Sequence, residues 1–240
     1  MRVKCVIAYD GSKFYGFQKQ NSTKDTIATQ IELALKSINI NSPIVGSGRT
    51  DRGVHATGQV IHFDIPNYWR DLEKLKSTLN QKLKYIEFKH ITITDSDFHA
   101  RFSAKKRIYR YIFSTTKKTV FNQDYISYYD KFDEDLLQKA LSIFVGKHDF
   151  LHFHKTGSIT HTTIREVYKS SYIKRGDFHY IYFEANGFLR SQVRMMVDGA
   201  MSVATKSISL EELKKQLDTK KVYRTKLAPA EGLYLARIIY

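Results

Sequence analysis

The chain has 240 residues, and 39 Lys and Arg against 24 Asp and Glu leave a formal charge of +15 with histidine neutral. A hydrophobic share of 42% and an aromatic share of 13% exclude a disordered basic tail, which would be short of both. The single cysteine, Cys5, excludes an internal disulfide framework, and no apolar run is long enough to cross a bilayer. The first residues mix charges among apolar positions and show no signal-peptide core. These features read as a cytoplasmic globular protein whose surface attracts polyanions.

The pattern alternates strands and helices in chain order. Val3, Cys5 and Ile7 alternate as in a first strand. Ile27, Ile31, Leu35 and Ile38 recur at helical spacing, as do Trp69, Leu72, Leu75 and Leu79. Ile61, Phe63 and Ile65 mark a strand between those helices, Ile91 and Ile93 another, and Arg107 to Phe113 a longer one. Leu136, Leu137, Ala140, Leu141 and Phe144 form a helical stripe. Val167–Ile173 and Phe178–Ala185 read as a strand pair turning at Arg175-Gly176-Asp177. Leu189, Val193, Met196, Val197 and Ala200 predict a helix, and Ser209 with Glu212 predicts a capping box for the next. Leu233 to Ile239 closes as a strand. Strands mixed with helices predict an α+β fold with a largely antiparallel sheet flanked by helices. No Pro/Gly/Ser-rich linker appears, and a soft boundary near Ser103 divides 1–103 from 104–240.

The segment Gly46-Ser47-Gly48-Arg49-Thr50-Asp51-Arg52-Gly53-Val54-His55-Ala56 is the richest in chemistry. Glycines let a backbone approach a ligand, and Asp51 lies between Arg49 and Arg52. A carboxylate in a basic groove suits a nucleophile or a general base. A solvated loop whose Asp caps a turn is the plainer reading, and composition leaves both open. A triphosphate cradle is disfavoured, since the Gly-Lys-Ser/Thr ending is missing.

Two further segments bear on the choice. Arg107, Tyr109, Tyr111 and Phe113 share one strand face, which suits base stacking with a cation on the phosphate, or equally a sheet face packed under a helix. Arg190 and Arg194 are one helical turn apart beside the apolar Val193 and Val197, so each either snorkels to solvent or pairs with a buried acid. The histidines His148, His152, His154 and His161 lack a metal-binding spacing, and no metal is expected.

Taken together these blocks resemble the tRNA pseudouridine synthase A family from end to end. Tyr9 to Gln18 resembles its first strand and turn, and Gly48 to Ala56 its catalytic loop. Phe98 to Ala104 with Arg107 to Tyr111 resembles its middle block. Gly146 to Phe150, Phe188 to Arg194, and Ala228 to Leu235 follow in order. The resemblance implies isomerisation of uridine to pseudouridine at the 3′ side of the anticodon stem-loop of tRNA. It implies a pseudouridine synthase fold of two similar halves around a largely antiparallel mixed sheet, acting as a homodimer. By matching position, Asp51 is the catalytic aspartate and Arg194 the arginine paired with it. Tyr109 stacks on the target base, and Arg49 helps to flip the nucleotide. Departures at Lys84-Tyr85, Ser191-Gln192 and Met195 avoid those four positions. An isomerisation needs no redox cofactor or external nucleotide, so none is expected. The competing readings are a binding-only RNA module, which would not need Asp51, and a metal-dependent nuclease built on His148 to His161.

Overall fold

A computed structural model describes residues 1–157 and 160–240. In chain order the regular elements are β1 (Arg2–Tyr9), α1 (Ile27–Lys36), β2 (Val45–Gly46), β3 (His55–Asp64), α2 (Leu72–Lys82), β4 (Ile86–Ile93) and β5 (Lys106–Ser114). Next come β6 (Ser127–Tyr128), α3 (Glu134–Ser142), β7 (Gly146–Asp149), β8 (Ile164–Arg175), β9 (Phe178–Ala185), α4 (Gln192–Ala204), α5 (Leu210–Leu217) and β10 (Leu233–Ile239). The chain forms two compact units, Met1–Lys105 with Leu235–Tyr240, and Lys106–Tyr234. Each joins a largely antiparallel set of strands to helices, the expected α+β class. No helix among the described residues is long and apolar enough to cross a membrane.

In the first unit the strand order is β4-β1-β3, with the Leu235–Ile239 part of β10 on the far side of β3. Strict alternation along β1 buries Val3, Cys5, Ile7 and Tyr9. Cys5 lies opposite Ile61 of β3 and Ile91 of β4, so a row of apolar side chains crosses three strands. Ile31 and Leu35 of α1 and Leu75 and Leu79 of α2 are fully buried, each worth about 1.5–3 kcal/mol of transfer free energy. At Gly58 a Cβ would collide with the carbonyl of Ala236, so only glycine admits the closing strand so near. Trp69 and Ile38 lie outside the helices that their spacing predicts. The Asp71 carboxylate accepts the Lys74 N–H at 2.9 Å and starts α2 two residues after Trp69, while α1 stops at Lys36.

In the second unit the order is β5-β9-β8-β7, antiparallel throughout, with β6 parallel to β5. Phe144, Phe150, Phe153 and Phe183 are fully buried, and Phe144 meets Phe153 edge-on at 5.4 Å. α5 begins with the capping box expected from Ser209 and Glu212. Phe144 follows the end of α3. The shared helical face expected of Arg190 and Arg194 does not form. α4 begins only after Ser191, which sits in the left-handed region at φ 59°, and the Gln192 side chain turns back to accept the Leu189 N–H at 2.7 Å. Arg190 therefore precedes the helix and donates to the Thr156 carbonyl at 3.2 Å.

Candidate active site

The Asp51 loop is held by two buried polar side chains of its own unit. Gln59 on β3 has no exposed surface. Its Nε2 donates to the Gly48 carbonyl at 2.7 Å, and its Oε1 accepts the Gly48 N–H at 3.3 Å. The amide thus copies a strand partner where β2 has ended. Two residues on, the Thr50 hydroxyl and the Tyr9 phenol share a buried hydrogen bond of 2.9 Å, and the Phe17 N–H donates to the Thr50 carbonyl at 3.1 Å. The Val54 N–H closes the loop on the Asp51 carbonyl at 3.1 Å.

Tyr15-Gly16-Phe17 forms the opposing wall. Gly16 has φ +100°, and a Cβ there would stand 2.9 Å from the Thr50 carbonyl oxygen, so glycine is required by conformation and by space. The Gly16 and Phe17 carbonyls accept the Ile27 and Ala28 N–H groups at 3.1 and 3.0 Å, which ties this wall to the first turn of α1. Arg52 is exposed, and its guanidinium lies over the Tyr15 ring at 4.3 Å. Asp51 is partly exposed and Arg49 exposed. The loop backbone is therefore fixed from both sides, while Arg49 and Arg52 beside Asp51 are exposed. That is the arrangement a positioned carboxylate needs.

Tyr109 and Arg194 belong to the second unit. Tyr109 is buried on β5 opposite Phe183, and the Phe188 ring meets it edge-on at 5.2 Å. Farther along the same face Tyr111 and Phe113 have no exposed surface, so of the shared aromatic face those two serve the core. Arg194, on the first turn of α4, donates through Nε to the Ala228 carbonyl at 2.7 Å, and the Ala228 N–H returns a bond to the Arg194 carbonyl at 3.1 Å. This reciprocal pair fixes the root of the guanidinium. One turn later Asp198 is taken up by Arg224 through two bonds of 3.1 and 3.3 Å. Nearby, burial pushes the Tyr129 phenol up to about 12, with Asp198 and Glu231 adding to the rise and the Tyr111 hydrogen bond and Arg194 opposing it. Tyr129 is accordingly neutral at physiological pH.

The histidines are dispersed into separate structural roles. His148 Nε2 bonds the Val145 carbonyl, His152 Nε2 the Thr219 carbonyl, and His154 Nδ1 the Phe150 carbonyl. Among the described residues no three His, Cys, Asp or Glu side chains gather into a metal-holding group. Sequence reasoning passes over Gln59 and the Tyr9–Thr50 pair. Tyr9 stands inside the resembling block Tyr9 to Gln18, which is the one signal that could have found it. Gln59 gives none, because a polar residue in a strand ordinarily faces solvent.

With this geometry in place, similarity to known proteins defines the class. The family model described as tRNA pseudouridine synthase matches residues 5–103 and 140–240. The tRNA pseudouridine synthase A of Campylobacter jejuni is 39% identical over 241 residues, covering all of both chains. Those of Helicobacter hepaticus and Wolinella succinogenes are 39% and 38% identical, over 99% and 98% of this chain and 98% and 92% of their own. The chain belongs to the tRNA pseudouridine synthase family. Its members are isomerases that convert uridine to pseudouridine in tRNA.

Proposed function

We propose that this chain makes pseudouridine in the anticodon stem-loop of tRNA with Asp51 as the catalytic carboxylate. The observation that carries the reading is the double anchoring of the Gly48–Ala56 loop, through Gln59 to Gly48 and through Tyr9 and Phe17 to Thr50. Such restraint is wasted on a solvated turn and suits a side chain that must meet a reacting atom.

The reaction breaks the bond between ribose C1′ and uracil N1, turns the base, and forms a bond from C1′ to C5. The C5 proton is lost and N1 gains one, so no electrons are exchanged. Asp51 either adds to the base or ribose, or abstracts a proton to begin glycal formation. Tyr109 stacks on the flipped base, worth about 1–3 kcal/mol, against the few kcal/mol that unstacking costs. It also stands as a candidate for the later proton removal. Arg194 pairs with the Asp51 carboxylate, and Arg49 assists flipping. In this reading the enzyme works as a cytoplasmic homodimer, which sedimentation at micromolar concentration tests.

Incubation with unmodified tRNA, followed by mapping of pseudouridine by mass spectrometry or carbodiimide-stop sequencing, tests activity and position together. Asp51→Asn is expected to keep RNA affinity near that of the parent and to abolish turnover. Undiminished pseudouridine formation by that variant overturns the assignment and leaves a binding module as the better reading.

A further inference from the structure

Beside the Tyr109–Phe188 pair the second unit places two guanidinium groups around a residue without a side chain. Phe188 is preceded by Asn186 and Gly187. Asn186 joins two strands: its N–H donates to the Glu166 carbonyl at 3.1 Å, its Oδ1 accepts the Glu166 N–H at 3.1 Å, and its carbonyl accepts Nη1 of Arg107 at 3.0 Å. Arg165, next to Glu166 on β8, is held by two backbone carbonyls, with Nη1 at 2.8 Å from Thr162 O and 2.6 Å from Ile164 O. Both guanidinium groups are thus oriented by main-chain acceptors, which lowers the entropy lost when they grip a ligand.

The space between them is at Gly187. A Cβ there would meet Arg165 Nε at 3.8 Å and Arg107 Nη1 at 4.0 Å. Those are ordinary contacts, and Gly187 is not among the glycines with positive φ, so neither clash nor conformation calls for glycine. Its absent side chain keeps a gap open between two cations. Arg107 and Tyr109 share one strand face two residues apart, about 6.6 Å along the strand. Arg165 also lines a cavity of about 370 Å³ with Lys147, Thr162, Ile164, Glu166 and Asn186.

We propose that Arg107, Arg165 and the gap at Gly187 form a seat for one RNA backbone phosphate next to the nucleotide whose base stacks on Tyr109. The proposal rests on the reading of Tyr109 given above. Paired planar forks suit a phosphate, and backbone contacts fix register without reading sequence. The seat would set which linkage lies beside the base pocket, so that the uridine is presented in one register.

The test uses the full chain and an anticodon stem-loop RNA in which single phosphates near the target uridine are replaced by neutral methylphosphonates. The parent enzyme is expected to lose about 10- to 100-fold in affinity at one linkage adjoining the target. Arg165→Gln is expected to lose a similar factor on unmodified RNA, to raise KM more than it lowers kcat, and to become insensitive to the methylphosphonate at that linkage. The slope of log affinity against log salt should fall by about 0.7, one phosphate on a single strand. Gly187→Ala, which keeps both arginines and fills the gap, should weaken binding with its thermal midpoint unchanged, separating the seat from any fault of folding. If Arg165→Gln and the methylphosphonate act additively, or if the sensitive linkage lies remote from the target, the seat is refuted. Failure of the parent enzyme to form pseudouridine in the same samples would instead refute the parent reading.

Discussion

Replacing Gln59 by leucine measures how far the carboxylate loop depends on its amide brace. Leucine nearly preserves volume, so the loss is polar and little cavity opens. Two hydrogen bonds to Gly48 disappear, at 3.3 and 2.7 Å, each worth about 1 kcal/mol net. The Gly48 N–H and carbonyl, both part-buried, are then left to find water or go without, which adds about 1–3 kcal/mol where they cannot. The sum is about 2–5 kcal/mol. Denaturant titration should show an earlier midpoint with an unchanged slope. A displacement of the loop by about 1 Å costs about 100-fold in rate, so single-turnover pseudouridine formation should fall far more than RNA affinity. Gln59→Glu gives a pH signature. Its ionised form turns oxygen toward the Gly48 carbonyl, while its protonated form can donate, so its folded pKa lies above its unfolded one. The stability it contributes is present below the unfolded value and lost as pH rises through the folded one. Stability within about 0.5 kcal/mol of the parent together with an undiminished rate for Gln59→Leu would refute the brace.

Three further outcomes follow from the structure. Arg194→Lys keeps the charge but loses the planar Nε–H that bonds the Ala228 carbonyl at 2.7 Å, so the single-turnover rate should fall by more than the affinity, and equal losses would remove Arg194 from the chemistry. Burial, aided by the charges of Arg2 and His99 and opposed by Asp64, holds His62 at about 4 against an ordinary 6.5. The unfolded chain takes up a proton in that window that the folded chain refuses, so stability is intact above 6.5 and lost as pH falls through about 4. His62→Asn, which keeps an acceptor for the Ala100 N–H, should flatten the dependence of the thermal midpoint on pH there, and an unchanged slope counts against the assignment. Cys5 is fully buried, and burial raises its thiol well above the usual range, so a thiol reagent should label it only as the first unit opens, and prompt labelling in native buffer would contradict that packing.

Much of the fold is written in short-range pattern. The alternation of Val3, Cys5 and Ile7, the β8–β9 hairpin around Gly176, and the Ser209–Glu212 box are local, and each forms where the spacing places it. Periodicity overshoots at Trp69, Ile38, Phe144 and Leu189, because an apolar residue just beyond a helix can still turn into the core. β7 escapes notice because four residues, Gly-Lys-His-Asp, carry no alternation of apolar and polar. The Asp51 loop is visible as a motif, but what holds it is not. Gln59 is eleven residues from Gly48 and Tyr9 forty-one from Thr50, and only the strand register makes them neighbours. Gly187 shows no special backbone, so its meaning lies wholly in the two arginines around it.

The strand that closes on Gly58 has a consequence for synthesis. Residues 106–234 leave the ribosome between β4 and the segment Leu235–Tyr240 that completes the first unit. During that interval the β3 edge, with Val60, Ile61 and Phe63, waits without its final neighbour. A nascent chain therefore carries its carboxylate loop on an unfinished sheet until the unit holding Tyr109 and Arg194 has been made. Translation order alone keeps the β3 edge open until the last residues of the first unit are made, and a ribosome stalled before Leu235 would leave that edge exposed to aggregation.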